Sequence, residues 1–426
     1  MSAYLILLFL VLALTGMPLA FALGLASVFA IWMLDFELVV MPQRMMHAVN
    51  NFPLMAIPLF ILAGELMVRA NIMERLIGFA NSMVGRVNGG LAQVTIISGT
   101  IFSSVSGAAV ASASALGSTL MPSLRKHYPD GYSGAVICSA ANLGAIFPPS
   151  NAMIVYALMA GSSVSVGGLF MAGVVPGFVL VLCFMLWAGF TAKRRGYPFT
   201  GEHFSLRNML VQARRALVIL LMPIIVVGGI VFGAFTATEG AAIAVVYSAL
   251  IGFLVTKTLR MADLPGCLFR AAVTSAMVGA LVAFAAAVTF IFTVEMVPAQ
   301  LSSFIQGLTQ NPMVFLLLVM ALLIVLGMFL ESNAAYIMLV PLFAPLALAY
   351  GIDPLYFGFL FVFNLIIGMM TPPVGVLYFV VSGIGKVPLG TLIRDSFPFV
   401  LVQFAVLGLC IVFPDLVTAL PRAMGF

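Results

Sequence analysis

The stretch "NLGAIFPPSN", residues 142–151, lies inside a long apolar run and contains two consecutive prolines. The stretch "LIIGMMTPPVG", residues 365–375, places a second proline pair in an equally apolar run in the other half of the chain. Proline has no backbone N–H and its ring clashes with the preceding turn, so it interrupts a helix interior. The two stretches therefore predict two buried helices that are broken in the same way.

The composition indicates that most of the chain lies in a lipid bilayer. Of its 426 residues, 63% are hydrophobic and only 7% are charged, whereas a soluble domain carries about 25% charged residues. Apolar runs long enough to cross a bilayer as a helix recur from end to end, so we expect an all-α polytopic membrane protein with about ten to twelve spans. The first run, Tyr4–Leu34, is expected to be two retained spans that divide near Gly16–Pro18, not a cleaved signal peptide.

The charged residues indicate orientation and not a nucleic-acid partner. The net charge is +5, but in a membrane protein lysine and arginine in short loops mark the cytoplasmic side. The segment Lys193–Arg215 carries six basic residues against the single Glu202. We expect this segment to be a cytoplasmic linker between two halves of the chain. The four cysteines lie singly in apolar segments and are expected to be buried hydrophobic residues, not metal ligands.

The two halves follow the same order of features. Each has a patch of small and polar residues, "SSVSGAAVAS" (103–112) and "ESNAAYIML" (331–339), then a helix expected to stop at Pro122 or Pro341, then a loop and the broken helix. A constant offset of 224 residues places Gly144, Pro148 and Pro149 on Gly368, Pro372 and Pro373. Matching Gly/Pro interruptions in two halves point to the central site of a transporter. Two unrelated proline kinks are the alternative.

The broken helices predict a particular chemistry. In an unbroken helix each N–H donates to the carbonyl four residues earlier. The proline pairs are therefore expected to leave four carbonyls without donors, those of Gly144, Ala145, Gly368 and Met369. Oxygen-lined gaps suit a hard cation such as Na⁺, and the half-helix after each break presents its positive end to an anion. Asn142, Asn364 and Thr371 flank the breaks, and their side chains need polar partners there.

Four glutamates in or beside apolar segments, Glu65, Glu239, Glu295 and Glu331, are further candidates for a functional role. Glu65 is expected to pair with Arg69, four residues later on the same helix. Glu239 precedes an apolar run and is expected to be a helix N-terminal charge. Glu331 adjoins the second polar patch, where a structural and a functional role are both open.

Two less hydrophobic segments are candidates for helices that lie in the membrane interface. Residues 71–88 place apolar side chains at steps of three and four, with charged residues largely off that stripe. Residues 258–270 are a poorer counterpart in the second half. Short connecting segments are the alternative for both.

Several enzyme classes have no motif in this sequence. The chain contains no G-x-x-x-x-G-K-[ST] phosphate-binding loop and no H-E-x-x-H zinc motif. Its three histidines, His47, His127 and His203, lie in polar connecting segments. A transport function is therefore expected, not catalysis.

Motifs along the whole chain resemble the large membrane subunit of tripartite ATP-independent periplasmic (TRAP) transporters. They occur in the order "GMPLAFALG", "SSVSGAAVASASALGSTLMP", "NLGAIFPPSN", "GMFLESNAAYIMLVPLFAPLA", "GIDPLYFG" and "IGMMTPPVGVLYF". The resemblance implies two inverted-topology repeats, each with one re-entrant hairpin and one broken helix, and an elevator-type movement. It implies a first repeat at 1–195, a basic linker at 196–215 and a second repeat at 216–426. Within the repeats it implies interfacial arms near 71–88 and 258–270, hairpins near 98–122 and 313–341, and broken helices at 132–161 and 355–384.

The resemblance also implies the ligands and partners. Na⁺ is expected at two sites, formed by Ser106, Gly107, Gly144 and Pro148, and by Ser332, Asn333, Gly368, Thr371 and Pro372. An organic acid is expected beside Asn142, Ser150, Asn151, Asn364 and Gly375. The first hairpin reads Ser-Gly-Ala-Ala-Val where the family has more hydroxyls, so carbonyl coordination is expected there. The expected partners are a periplasmic substrate-binding protein and a separate small four-helix membrane subunit, in the bacterial cytoplasmic (inner) membrane.

Two other functions are compatible with the same residues. One is a stand-alone Na⁺/carboxylate symporter that needs no binding protein. The other is a passive channel, whose flux would not depend on the Na⁺ gradient.

Overall fold

The chain forms an all-helical protein, in agreement with the predicted fold class. The structure is a computed structural model that describes residues 2–84, 86–199, 205–330 and 332–426. The described part of the first half contains α1 Ser2–Leu14, α2 Leu19–Met33, α3 Val40–Val49, α4 Ala56–Arg69, α5 Ile72–Val84, α6 Gly90–Ser106, α7 Ala109–Leu124, α8 Asp130–Asn142, α9 Asn151–Ala160 and α10 Val166–Arg195. The described part of the second half contains α11 Leu206–Val231, α12 Ala237–Leu250, α13 Leu264–Val294, α14 Val297–Leu308, α15 Pro312–Gly327, α16 Ser332–Ala349, α17 Pro354–Gly368, α18 Val376–Gly385, α19 Leu389–Val412 and α20 Asp415–Ala423.

In the described part of the chain, fewer single helices are long and apolar enough to cross a membrane than the ten to twelve spans that the hydropathy predicts. Among the described residues, 7 helices are long and apolar enough to span, or 8 when α14 and α15, bent by 118°, count as one span. Further apolar runs form shorter helices, including α2, α6, α17 and α18. The expected ten to twelve spans stay a prediction, because two half-length helices can cross a membrane together where a single long helix does not.

The first apolar run divides where the sequence predicts. Helix α1 ends at Leu14 and α2 begins at Leu19. Gly16, between them, has φ +87°, a left-handed conformation that glycine adopts without strain. Pro18 is the N-cap residue of α2.

Both central helices are interrupted at their proline pairs. Helix α8 ends at Asn142, a short 3₁₀ turn covers Leu143–Ala145, and α9 begins only at Asn151. Helix α17 ends at Gly368 and α18 begins at Val376. The peptide bond between the two prolines is cis in both breaks.

Prolines elsewhere do not end their helices. Helix α7 continues through Pro122 to Leu124, and α16 continues through Pro341 to Ala349, so both expected stops were wrong. A single proline removes one helical hydrogen bond, which a transmembrane helix tolerates when its neighbours compensate.

Two expected connecting elements also differ in the structure. Residues 258–270 do not form a separate arm, because α13 begins at Leu264 and continues for 31 residues. The linker expected at 196–215 is helical in its second part, since α11 begins at Leu206; residues 200–204, with Glu202 and His203, lie outside the described residues. Residues 71–88 contain the predicted helix α5, on which Ile72 and Leu76 are buried and Met83 is 42% exposed. The inverted relation of the two halves stays a prediction.

The helices that precede the breaks form the centre of the molecule. Every residue of α8 from Gly131 to Asn142 is buried, and so is every residue of α17 from Tyr356 to Gly368. Helices α6, α7 and α19 pack around α8, and α15, α16 and α19 pack around α17. The first break, Leu143–Ser150, is buried throughout, as non-helical backbone at membrane depth requires. At the second break Thr371 is buried, Pro372 and Val374 are half-buried and Pro373 is exposed.

A glycine before each break allows a neighbouring helix to approach closely. A Cβ on Gly144 would lie 1.9 Å from the Ser103 Cβ on α6. A Cβ on Gly368 would lie 2.6 Å from the carbonyl carbon of Gly327, the last residue of α15. The offset of 224 residues relates Gly144 to Gly368, and it also relates Ser103 to Gly327. The same close contact thus occurs at the same repeat position in both halves.

We expect Gly144→Ala and Gly368→Ala to lower the thermal stability of the purified protein in detergent. The added methyl group would overlap Ser103 or the Gly327 backbone, and overpacking of this kind costs about 1–3 kcal/mol. Melting temperatures followed by intrinsic fluorescence measure the effect. Gly279→Ala and Gly408→Ala are matched controls, because these helical glycines have open space around them and alanine favours a helix. Equal melting temperatures for all four variants would contradict the close packing.

Candidate site at the two helix breaks

The tip of the first hairpin contacts the first break. Helix α6 ends at Ser106, Gly107 turns the chain with φ +62°, and α7 begins at Ala109. The N–H of Asn151, the first residue of α9, donates to the Gly107 carbonyl at 3.3 Å. A side chain on residue 107 would lie 3.1 Å from the Pro149 carbonyl oxygen. The structure therefore brings Ser106 and Gly107 together with the Pro149–Asn151 segment.

The polar side chains at this break are partly satisfied. The Ser106 and Ser112 hydroxyls lie 2.8 Å apart, and Ser150 caps α9 by accepting from the Met153 N–H at 3.4 Å. Among the described residues, the buried Ser103 Oγ and Asn151 Oδ1 have no hydrogen-bond partner. Unpaired buried oxygens are costly, so these two atoms are suited to accept a cation or a donor from a ligand.

Other donors at the breaks replace most of the N–H groups that the prolines lack. The Ser150 hydroxyl donates to the Ala145 carbonyl at 2.6 Å. At the second break the Thr371 N–H donates to the Gly368 carbonyl at 3.0 Å, and the Leu377 N–H donates to the Met369 carbonyl at 3.2 Å. The expectation that all four carbonyls lack donors was therefore wrong for three of them. Each of these carbonyls keeps a second lone pair that can contact an ion.

The second break is closed by its own residues and by α15. The Thr371 hydroxyl donates to the Ile367 carbonyl at 2.8 Å, and the Tyr378 hydroxyl donates to the Met370 carbonyl. Gly375, the N-cap residue of α18, has φ +59°. Ser332 is buried at the start of α16, followed by Asn333. Glu331 lies outside the described residues.

The asparagines near the breaks connect helices. The Asn142 amide donates to the Ile366 carbonyl of α17 at 3.1 Å and to the Gln403 Oε1 of α19 at 2.7 Å. The Asn364 amide donates to the Met320 carbonyl of α15 at 2.9 Å. Their N–H groups therefore hold the broken helices to their neighbours, whereas the two Oδ1 atoms have no partner among the described residues. Gln403 was not predicted, because only the fold brings α19 to the end of α8.

The glutamate predictions gave one correct and one wrong assignment. Glu239 accepts from the Thr236 N–H at 2.8 Å in a capping box, as expected for a helix N-terminal charge. Glu65 does not pair with Arg69: it pairs with Arg270 at 2.7 Å, and Arg69 pairs with Asp263 at 2.5 Å. These two ion pairs join α4 to the start of α13. The spacing of residues within one helix cannot predict such a contact between distant segments.

A cavity of about 460 Å³ lies beside α9 and α16. Its charged and polar lining comes from Arg44, His47 and Asn51, in and just after α3, and from two threonines of α13. The rest comes from apolar residues, mainly of α9, α13 and α16. The Arg44 guanidinium carbon lies 4.6 Å from the centre of the Phe290 ring. Arg44 was not predicted, because nothing in the spacing of α3 shows that it lines the same cavity as α9, the helix that follows the first break.

Comparison with known proteins identifies similar sequences over nearly the whole chain. A family model described as "Tripartite ATP-independent periplasmic transporter, DctM component" matches residues 6–416. The sialic acid TRAP transporter large permease protein SiaM of Vibrio cholerae is 37% identical over 96% of this chain and 95% of the relative. The C4-dicarboxylate TRAP transporter large permease protein DctM of Pseudomonas aeruginosa is 37% identical over 90% of this chain and 89% of the relative.

A solved structure shares the fold. The crystal structure of the Alcanivorax borkumensis YdaH transporter covers 96% of this chain and 99% of its own with a TM-score of 0.64, at 17% sequence identity. This likeness is one of architecture.

We expect Asn142→Ala and Gln403→Ala to destabilise the protein by less together than the sum of their separate effects. Asn142→Ala leaves the buried Gln403 Oε1 without its donor, and Gln403→Ala leaves one N–H of the Asn142 amide without an acceptor. A buried group without a partner costs about 1–3 kcal/mol, whereas the double variant removes both groups. A double-mutant cycle on melting temperatures in detergent measures the coupling. Asn142→Ala combined with Gln300→Ala, whose amide bonds an exposed carbonyl elsewhere, should be additive. Additive losses in the first pair would contradict the bond.

Proposed function

Since this chain belongs to the DctM family of tripartite ATP-independent periplasmic transporters, we propose that it is the large permease subunit of a Na⁺-coupled importer of an organic acid. The relatives named for their substrates transport sialic acid and C4-dicarboxylates, and both are acids. The observation that carries the proposal is the pair of helix breaks that end the buried helices α8 and α17, each contacted by a neighbouring helix end and lined by oxygen atoms.

The first proposed Na⁺ site lies between the hairpin tip and the first break. Ser106, Gly107, Gly144 and Pro148 are its proposed residues, and we add the unpaired hydroxyl of Ser103, which packs against Gly144. A cation there would contact oxygens that otherwise lack a partner in a dry interior, where each unsatisfied group costs about 1–3 kcal/mol. Binding would therefore favour the arrangement in which hairpin tip and break are in contact.

The second proposed Na⁺ site lies at the second break. Its proposed residues are Ser332, Asn333, Gly368, Thr371 and Pro372. The Thr371 hydroxyl uses its proton to bond Ile367, so its oxygen lone pairs face outward from that bond and can contact an ion. The close approach of Gly327 to Gly368 brings the end of α15 to this site.

The substrate carboxylate is proposed to bind near the start of the half-helices. Helices α9 and α18 begin at Asn151 and Val376, directly after the breaks, and the N-terminal end of a helix carries a partial positive charge. Ser150, Asn151 and Gly375 supply polar or backbone groups at these ends. Asn142 and Asn364 support them from the preceding helices, each with a free amide oxygen.

The Arg44 cavity is the proposed entrance for the acid. Helix α10 ends in Lys193, Arg194 and Arg195, which the positive-inside rule places on the cytoplasmic side. Its 30 residues span about 45 Å at 1.5 Å per residue, so its start, next to the end of α9, lies on the opposite side. The cavity is lined by Leu158 and Met159 near that end of α9. It would open to the periplasm, where Arg44 can meet an anion.

The proposed complex contains two further proteins in the bacterial cytoplasmic membrane. A periplasmic substrate-binding protein would deliver the acid to the Arg44 side, and a small four-helix membrane subunit would complete the permease. The two repeats would supply an elevator-type movement, in which the helices around the breaks carry the bound ions and the acid across.

We expect Thr371→Val, and replacement of Pro148 and Pro149 by alanines, to lower Na⁺-gradient-driven uptake roughly tenfold or more in vesicles that contain the full complex. The first change removes an oxygen ligand worth about 1.5–3 kcal/mol to a charged group, and the second restores a helix across the break. Radiolabelled uptake with and without a Na⁺ gradient measures the loss. Thr274→Val is the matched control, because its hydroxyl also bonds the carbonyl four residues earlier but lies on α13, away from both breaks.

Three results would overturn parts of this proposal. Unchanged uptake in both the Thr371→Val variant and the Pro148/Pro149 variant would contradict the two proposed Na⁺ sites. Uptake by this chain alone, with neither partner, would favour a stand-alone symporter. Flux that ignores the Na⁺ gradient and produces single-channel currents would favour a passive channel.

We expect Arg44→Gln to raise the KM of the complex for its acid about tenfold and to leave kcat nearly unchanged. A charged hydrogen bond contributes about 1.5–3 kcal/mol to binding, and none of the residues proposed to hold the ions or the acid at the breaks lines this cavity. Arg44→Lys should recover most of the loss. Arg422→Gln is the control: this arginine pairs with Asp415 at 3.6 Å and does not line the cavity. An unchanged KM in Arg44→Gln would reject the entrance.

A further inference from the structure

A second cavity, of about 450 Å³, lies where the end of α10 meets the start of α19. Three arginines line it, Arg194 and Arg195 from α10 and Arg394 from α19, together with the aromatic rings of Tyr132 and Trp187. Asp395 is the single acidic residue in the lining. The cavity therefore carries an excess of positive charge at the boundary of two long apolar helices.

The charge in this cavity is only partly neutralised. Arg195 lies 3.8 Å from the Asp395 carboxylate, donates to the Tyr197 hydroxyl at 3.2 Å and faces the Tyr132 ring at 5.9 Å. Within the part of the chain that the structure describes, Arg194 and Arg394 have neither an ion pair nor a hydrogen bond to a side chain. Two guanidinium groups, one from each half of the chain, are therefore available to an anion.

The surfaces on the membrane side of the cavity are apolar. On α10, Leu182, Leu186 and Phe190 recur at steps of four and are 59%, 65% and 55% exposed. On α19, Phe397 and Leu401 are 56% and 50% exposed. Helix α10 ends at the cavity and α19 begins there, and the two helices pack against each other as an antiparallel pair. Both apolar stripes therefore extend from the arginines into the bilayer. Trp187 and Phe190, with ring centres 5.7 Å apart, lie where aromatic residues mark the membrane interface.

We propose that this cavity binds the headgroup of an anionic phospholipid, with its phosphate between Arg194 and Arg394 and its acyl chains along the two apolar stripes. Guanidinium groups match phosphate oxygens with paired hydrogen bonds, and basic pockets between transmembrane helices on the cytoplasmic side bind such headgroups. A free phosphate would meet the same arginines but would leave the apolar stripes without a partner, so the lipid fits the whole surface.

The bound lipid would connect the two halves of the protein. Helix α10 follows the half-helix α9, and α19 follows the half-helix α18. A headgroup held by one arginine from each of these helices would brace them together at the cytoplasmic end, beside α8. This role does not depend on which acid or ion the protein transports.

The test is lipid binding to the purified full chain in detergent, followed by melting temperature and by native mass spectrometry. Phosphatidylglycerol is expected to raise the melting temperature and to stay bound, whereas phosphatidylcholine is expected to do neither. Because each arginine near an anionic lipid contributes roughly a fivefold gain, the variant with Arg194→Gln and Arg394→Gln should bind phosphatidylglycerol roughly tenfold or more weakly.

A control variant with Lys193→Gln and Arg214→Gln removes the same charge from α10 and α11 without touching the cavity lining, and it should bind phosphatidylglycerol as the parent chain does. An equal loss in the control, or equal stabilisation by phosphatidylcholine, would overturn the proposed site. Stabilisation by inorganic phosphate alone, to the same extent as by phosphatidylglycerol, would replace the lipid with a small anion and also overturn the proposal.

Discussion

A proline pair directly after a helix that other helices enclose removes two backbone donors from the segment that follows. Such a break persists only if neighbouring groups satisfy the backbone around it. In this protein the replacement donors are local: a serine hydroxyl at the first break and two backbone N–H groups at the second. The irregular segments are thus fixed by their own chain, and they stay at the centre because α8 and α17 are buried on all sides.

This requirement explains the small residues around the breaks. Gly144 and Gly368 admit a second helix so closely that any Cβ would overlap it. The same closeness lets the hairpin tip at Gly107 accept a hydrogen bond from Asn151 across the gap. If the hairpin moved away, the hydrogen bond between Asn151 and Gly107 would break, and its N–H and carbonyl groups would lose their partners. The closed arrangement, in which the hairpin tip contacts the break, is therefore stabilised by this bond. A ligand bound between the tip and the break would increase the population of that arrangement.

The sequence predicts the breaks because proline acts through its own backbone, independently of what surrounds it. Gly144 and Gly368 can also be recognised from the sequence, because each stands four residues before its proline pair. Contacts between distant segments are a different matter: the bond from Asn142 to Gln403 and the pair Glu65–Arg270 depend on which helices become neighbours. The wrong stops at Pro122 and Pro341 have a related cause, because the packing around a helix decides whether one proline ends it.

The two proposed ligands would depend on each other through one piece of backbone. The oxygens that end α8 and the N–H groups that begin α9 belong to a single break of eight residues, Leu143–Ser150. A cation at the oxygen-rich side lowers the cost of bringing a carboxylate to the nearby helix start, since opposite charges in a low-dielectric interior attract strongly. Binding of either ligand would strengthen binding of the other by the same factor. A break with this arrangement therefore contains a physical basis for coupled transport without any charged side chain at its centre.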